Sequence, residues 1–285
     1  MIAGMAARLD QFRANTSSQF GENGLLAYLL EAYPQVPKVC LEVGAGDGVR
    51  ASNTRPLWAE QGWAALLIEQ RAGALQANCA HLPNVTIAET SITARGENSL
   101  DAIARRAGFP SDIGVASIDI DSFDYWVLAH MEYLRPAIVV IEFNARIPAH
   151  IDYCDPEGEL FLRHSAVAVE RLAKEKGYRV VACTGPNAIL VREATIAANP
   201  EAVPNLPIAE LFDHAYAKRF SMVIGAQFIT DLPVYAREPG LLLRCYGQGL
   251  YWWLTLRDRW NRRPPKVHAI SPAMRAHVRR SGLWV

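Results

Sequence analysis

No uninterrupted apolar run in the 285 residues approaches the roughly eighteen that a membrane-spanning helix needs, so a transmembrane protein is not expected. The opening stretch, MIAGMAARLDQFRANTSS, has no long apolar core and does not read as a signal peptide. Cysteine is sparse: the five at positions 40, 79, 154, 183 and 245 are odd in number and show no CxxC spacing. That pattern speaks against a disulfide framework and favours reduced thiols in a cytoplasmic protein. Net charge is zero and no nucleic-acid motif is recognisable, so a nucleic-acid partner is not expected. There is no internal repeat.

The neutral total conceals an asymmetry. Residues 257–280 carry eight Lys/Arg against one acid, Asp258, which leaves 21 bases and 28 acids elsewhere. With 51% hydrophobic and 20% charged residues, the chain suits one large globular domain, or one domain with an appendage.

Short β-type runs alternate with helical patterns: KVCLEV (38–43), AALLIE (64–69), NVTIAE (84–89), GVASIDI (114–120) and AIVVIEF (137–143). Each is mostly apolar on both faces, as strands of a parallel sheet covered by helices are. Between them RPLWAEQ, SLDAIARRAG, FDYWVLAHM and VAVERLAKEKG read as helices, the second and fourth ending on glycine. YRVVAC (178–183) and NAILVRE (187–193) are separated by only TGP, too short for a crossover helix, so they form an antiparallel hairpin. A parallel α/β sheet closed by such a hairpin is the class I methyltransferase (Rossmann-like) layout, strand order 3-2-1-4-5-7-6. The expected organisation is an N-terminal helical cap (1–35), a cofactor-binding catalytic domain (36–195) and a C-terminal helical, basic and aromatic extension (196–285).

LEVGAGDG (41–48) places three glycines within five positions directly after the first strand. Such bare backbone lets a nucleotide-like ligand approach main-chain N–H groups. The spacing is GxGxG, whereas dinucleotide sites use GxGxxG. Glu69 closes the second strand and could hold ribose hydroxyls in either fold. The glycine spacing and the hairpin favour S-adenosylmethionine over NAD; an NAD-dependent oxidoreductase and a non-catalytic cofactor-fold binding module are the alternatives.

SQFGENGLL (18–26), LEVGAGDG, SNT (52–54), GWAALLIE (62–69), SIDIDSFDYW (117–126), VVIEFNA (139–145) and KGYRVVACTGPNAILVRE (176–193) occur in this order, and the pattern resembles the FkbM-type methyltransferases. Ser122 and Gln70 depart from it, standing where glycine and proline are usual. The resemblance implies an S-adenosylmethionine-dependent enzyme that methylates hydroxyls of sugars, glycans or natural products. It also implies roles. The backbone of Gly44, Ala45, Gly46, Asp47 and Gly48 approaches the methionine portion of the cofactor. Glu42 and Asp47 stand near its ammonium group, with Asp119 also facing it. Glu69 binds the ribose, and Ser91 and Ile92 flank the adenine. An acidic wall suits a cofactor that is cationic near its reactive methyl group.

A second signal is the acidic set Asp119, Asp121, Asp124 and Glu142 with Asn144, at the carboxyl ends of two strands. Strand alternation puts Asp119 and Asp121 on one side. Asp121, Glu142 and Asn144 could hold Mg²⁺ through hard oxygen ligands; alternatively Asp121, Glu142, His150 or His164 takes the acceptor's proton directly. The plainer reading has Asp124 capping a helix, Glu142 paired with an arginine such as Arg146, and the histidines in structural hydrogen bonds. RIPAHIDYCDPEGELFLRH (146–164) is long enough to form a lid. Gln19 and Glu22 are candidates to touch the pocket from the N-terminal cap.

NLPIAELFDHAYAKRF (205–220) spaces Ile208, Leu211, Phe212, Ala215 and Tyr216 as one amphipathic helix. Beyond it, Tyr251, Trp252, Trp253 and Trp260 lie among arginines, which suits a packed helix with a basic rim, an acceptor platform or peripheral membrane contact. The expected partner is a small-molecule or glycan acceptor; a homo-oligomer is left open.

Overall fold

The computed structural model describes residues 8–217 except 148 and 161. The aromatic and basic stretch around Trp252 and Trp253 therefore lies outside the described residues. Seven strands form one sheet: β1 (Val39–Val43), β2 (Ala64–Glu69), β3 (Val85–Glu89), β4 (Asp112–Ile118), β5 (Arg135–Glu142), β6 (Tyr178–Cys183) and β7 (Asn187–Arg192), in the order β3-β2-β1-β4-β5-β7-β6. The first five run parallel, and β7 pairs antiparallel with both β5 and β6. This is the class I methyltransferase fold.

The helices are α1 (Glu22–Ala32), α2 (Gly73–Cys79), α3 (Leu100–Arg106), α4 (Asp124–Ala129), α5 (Ala166–Glu175), α6 (Glu193–Ile196) and α7 (Ile208–Leu211). Ser99 and Ser165 cap α3 and α5 by accepting from the amides of Ala102 and Ala168, satisfying donors with no partner inside the helix. RPLWAEQ forms only a single wide turn, Pro56–Glu60. Alternation along the strands fills two cores. Leu41, Val43, Leu66 and Ile68 face one layer; Cys40, Leu67, Val115 and Val140 face the other. Among the described residues no helix is long and apolar enough to cross a membrane.

Two boundaries differ from the sequence reading in ways that matter for the site. β4 stops at Ile118, so Asp119 and Asp121 belong to a loop and not to alternating strand positions. Asp124 ends the ladder: its carboxylate accepts from Ile120 N (2.8 Å) and Ser122 N (3.1 Å), pulling the chain into a turn. The expected helix over 205–220 is also broken. Phe212 is extended (ψ 139°), and Asp213 starts a new turn by accepting from the Tyr216 amide at 2.9 Å. Ile208, Leu211 and Phe212 are nevertheless buried in the main core.

Candidate active site

A cleft of about 440 Å³ opens at the carboxyl ends of β1 to β4, and Gly44, Glu69, Ser91, Ile92, Asp119 and Asp121 all line it. Its volume suits a nucleoside-sized ligand. The strands end in register here, since Glu42 to Val43 of β1 lie beside Leu67 to Ile68 of β2 and Ser117 to Ile118 of β4.

The glycine loop is built for close approach. Gly44, Gly46 and Gly48 have φ of 77°, 58° and 72°, the left-handed region in which a side chain is strained. A Cβ on Gly44 would sit 1.8 Å from the carbonyl oxygen of Asp119, so the loop and the β4 end pack backbone to backbone. Gly46 N donates to Glu69 Oε2 at 2.9 Å, which ties the loop to the carboxylate at the end of β2. Asp47 turns away from this contact. Its Oδ1 accepts from the amides of Val49 and Arg50, both at 2.8 Å, and these bonds hold its carboxyl below the usual range.

Glu42 has a different task from the one the resemblance implies. Its carboxylate is buried beneath the loop and accepts from Ser52 Oγ (2.6 Å), Thr54 Oγ1 (2.6 Å) and Asn53 N (2.8 Å). Thr54 N adds a fourth bond at 3.4 Å; burial pushes the Glu42 pKa up, and these four bonds from residues 52–54 pull the other way. SNT is thus the receptor for the glutamate of LEVG. Asn23 joins the set from the N-terminal cap: its Oδ1 accepts from Ser17 N (2.8 Å) and Ser18 N (2.6 Å), and its Nδ2 donates to Asn53 O (2.9 Å). Three separated motifs are therefore one buried polar network.

From the same cap Glu22 is fully buried and accepts from Thr184 Oγ1 (2.6 Å) in the β6–β7 turn and from Asn187 Nδ2 (2.9 Å) at the start of β7. Gln19 is exposed.

Behind Asp119, which lines the cleft, Asp124 and Glu142 are buried, and the three bring carboxylate oxygens within 4.8 Å of one another. Burial raises all three, Asp124 to about 7 and Glu142 to about 8, with Asp119 and its acidic neighbours raising one another further. The cation beside them is Arg163, not Arg146. Arg163 donates from both terminal nitrogens to Glu142, with Nη2 3.1 Å from Oε1, and its Nη1 also reaches Asp121 Oδ1 at 3.2 Å.

Asn144 does not join the expected Mg²⁺ trio. Its Nδ2 donates to Leu162 O (2.9 Å) and its Oδ1 accepts from Arg146 N (3.0 Å), so both ends fasten the loop between β5 and α5. Asp155 clasps the same loop by accepting from the amides of Leu162 (3.0 Å) and Arg163 (2.6 Å) and from the Tyr153 hydroxyl (2.7 Å). His150 is exposed on this loop.

His164 is 1% exposed, and its Nε2 lies 2.6 Å from the backbone oxygen of Glu142. A carbonyl oxygen only accepts, so Nε2 carries the proton and the ring is held as a structural donor. Burial lowers its pKa from 6.5 to about 4. The unfolded chain therefore binds a proton at a pH where the folded one does not, and stability is present above pH 6.5 and lost as pH falls toward 4. Relative to His164→Gln, the protein should lose about 2 kcal/mol between pH 7 and pH 5, read from urea midpoints. An equal pH response in the two proteins would contradict this burial.

Sequence reasoning did not single out Arg163 or give SNT a role. Arg163 sits in FLRHS without periodicity, 21 residues after Glu142, and only the folded loop brings it back.

No family model matches the chain, and no curated protein does. Among solved structures, the N-terminal domain of EvdMO1 with SAH bound is 11% identical, covering 60% of this chain and 80% of its own, at a TM-score of 0.40. An O-methyltransferase family protein from Burkholderia thailandensis is 13% identical (59% and 55% covered, TM-score 0.38). The CMeT domain of the citrinin polyketide synthase is 11% identical (55% and 46% covered, TM-score 0.36). The matched region spans about half the length of these last two, 55% and 46%. The fold assignment rests on the strand order.

Proposed function

We propose that the protein is an S-adenosylmethionine-dependent methyltransferase of the FkbM type, transferring a methyl group to a hydroxyl of a sugar, glycan or natural product. The observation that supports this reading is a single cleft lined by Gly44 of the glycine loop, Glu69, Asp119 and Asp121. The donor set fits the cofactor. Glu69, oriented by Gly46 N–H, offers carboxylate oxygens for ribose hydroxyls. Ser91, Ile92 and Asp119 line the same cleft, which supports a polar and an apolar surface for adenine and a carboxylate for the ammonium group. When bound, S-adenosylmethionine supplies a methyl group on a cationic sulfur that keeps the bonding electron pair as the methyl leaves.

The chain's own contribution is placement and proton transfer. Glu142, beside Asp119 and oriented by Arg163, accepts the acceptor hydroxyl's proton. Burial raises the proton affinity of this carboxyl above the usual carboxylate range, which suits a group that takes up a proton and returns it to solvent. Buried and bonded to backbone, His164 leaves this task to Glu142.

Calorimetric titration tests the reading. S-adenosylhomocysteine is expected to bind with a micromolar Kd and NAD⁺ to give no heat. Binding of NAD⁺ with none of S-adenosylhomocysteine would overturn the proposal in favour of an oxidoreductase.

A further inference from the structure

Carboxylate oxygens of Asp119, Asp124 and Glu142 lie within 4.8 Å of one another, beside the cofactor cleft that Asp119 and the exposed Asp121 line. Oxygen-rich sites of this kind commonly hold a hard divalent cation. Here a guanidinium stands among them. Arg163 binds Glu142 through two nitrogens, a fork that fixes the carboxylate plane as well as its charge. The same Nη1 reaches Asp121, so one side chain bridges the two elements that form this wall.

The backbone shows what this placement costs. Among the described residues three non-glycine residues have positive φ, and two of them are the partners in this bridge: Asp121 at 57° and Arg163 at 66°. Such conformations persist where surrounding structure imposes them, and they cluster at functional sites. The imposing contacts are visible. Asp124 pins Ile120 and Ser122 on either side of Asp121, and Asp155 holds the Arg163 amide while its own amide donates to Arg163 O at 2.7 Å. The Arg163 side chain is 20% exposed and that of Glu142 is 10%, so the pair is largely withdrawn from water.

We propose that Arg163 is the resident cation of this site: a positioning residue that takes the place of a divalent metal, balancing the carboxylates and aiming Glu142 at the acceptor hydroxyl. Methyl transfer here accordingly needs no Mg²⁺. The role of Glu142 rests on the methyltransferase reading; the exchange of metal for guanidinium does not.

The test uses Mn²⁺ alone as probe, followed by calorimetry and water-proton relaxation on the full chain. Wild type should show no Mn²⁺ binding that depends on Glu142. Arg163→Gly removes the guanidinium at a φ of 66°, where glycine is the least strained residue, so the fold should survive. It leaves the carboxylates without their counter-charge and should bind Mn²⁺ at least about tenfold more tightly than wild type. Adding Glu142→Gln should abolish that gain, and Arg163→Lys, which keeps the charge, should show none of it. The proposal is overturned if wild type binds Mn²⁺ and Glu142→Gln removes the binding, or if folded Arg163→Gly gains no Mn²⁺ affinity. Failure of S-adenosylhomocysteine to bind wild type would sink the cofactor reading and leave these outcomes as informative as before.

Discussion

Glu69→Ala is expected to weaken S-adenosylhomocysteine binding by about a hundredfold while leaving the unfolding midpoint almost unchanged. The argument starts from position. Glu69 ends β2 at the cleft, half-buried, with Oε2 accepting from Gly46 N at 2.9 Å, Oε1 accepting from Arg71 N at 3.3 Å, and the residue lining the cavity. A carboxylate accepting from two ribose hydroxyls makes charge-assisted bonds of about 1.5 kcal/mol each or more, and their loss is roughly two orders of magnitude in Kd. Little else depends on the side chain, so thermal stability should move by less than about 1 kcal/mol. Glu69→Gln keeps one acceptor oxygen and should fall between. If Glu69→Ala bound as wild type does, the ribose would lie elsewhere.

Glu42→Ala should do the reverse, costing stability rather than affinity. Burial and bonding separate the two glutamates, although both sit at the ends of neighbouring strands. Glu42 is 3% exposed and receives the Ser52 and Thr54 hydroxyls and the Asn53 amide. Truncation strands these buried donors, and the expected loss is about 3–5 kcal/mol, read as a lower urea midpoint at unchanged slope. Glu42→Gln keeps one oxygen but turns an NH₂ toward donors, so it should recover only part of the loss. Because Asn53 O also holds Asn23, the N-terminal cap should loosen with it, visible as faster amide exchange at Ser17 and Ser18. A mild effect of Glu42→Ala with a large loss of cofactor affinity would return Glu42 to the cleft.

These two glutamates also show how far the sequence could be read. The strand order was legible because it rests on patterns local in the chain: doubly apolar runs, helix caps and three residues between β6 and β7. The position of Gly44 and Glu69 at the cleft was legible because each follows or closes an apolar run at the carboxyl edge of the sheet. Glu42 looks the same in sequence and differs only in its neighbours. What distinguishes it is SNT, 10 to 12 residues on, whose hydroxyls and amides fold back over it.

The acidic wall was legible as a cluster and not as a geometry. Asp119 and Asp121 follow the end of β4, where alternation no longer says which way a side chain faces. The plain reading of Glu142 with an arginine was right in kind, but the nearby Arg146 was the wrong arginine. Arg163 reaches Glu142 only because Asp155 and Asn144 fold the intervening loop onto itself. Contacts of that kind depend on a loop's path, which hydrophobic periodicity does not encode.

The most direct measurement is a crystal structure of the full chain with S-adenosylhomocysteine. It should show the ribose hydroxyls on Glu69, adenine between Ser91 and Ile92, the amino group at Asp119, and Arg163 still on Glu142. Density for the ligand anywhere but this cleft, or a metal ion seated between Asp121 and Glu142 with Arg163 displaced, would contradict the account.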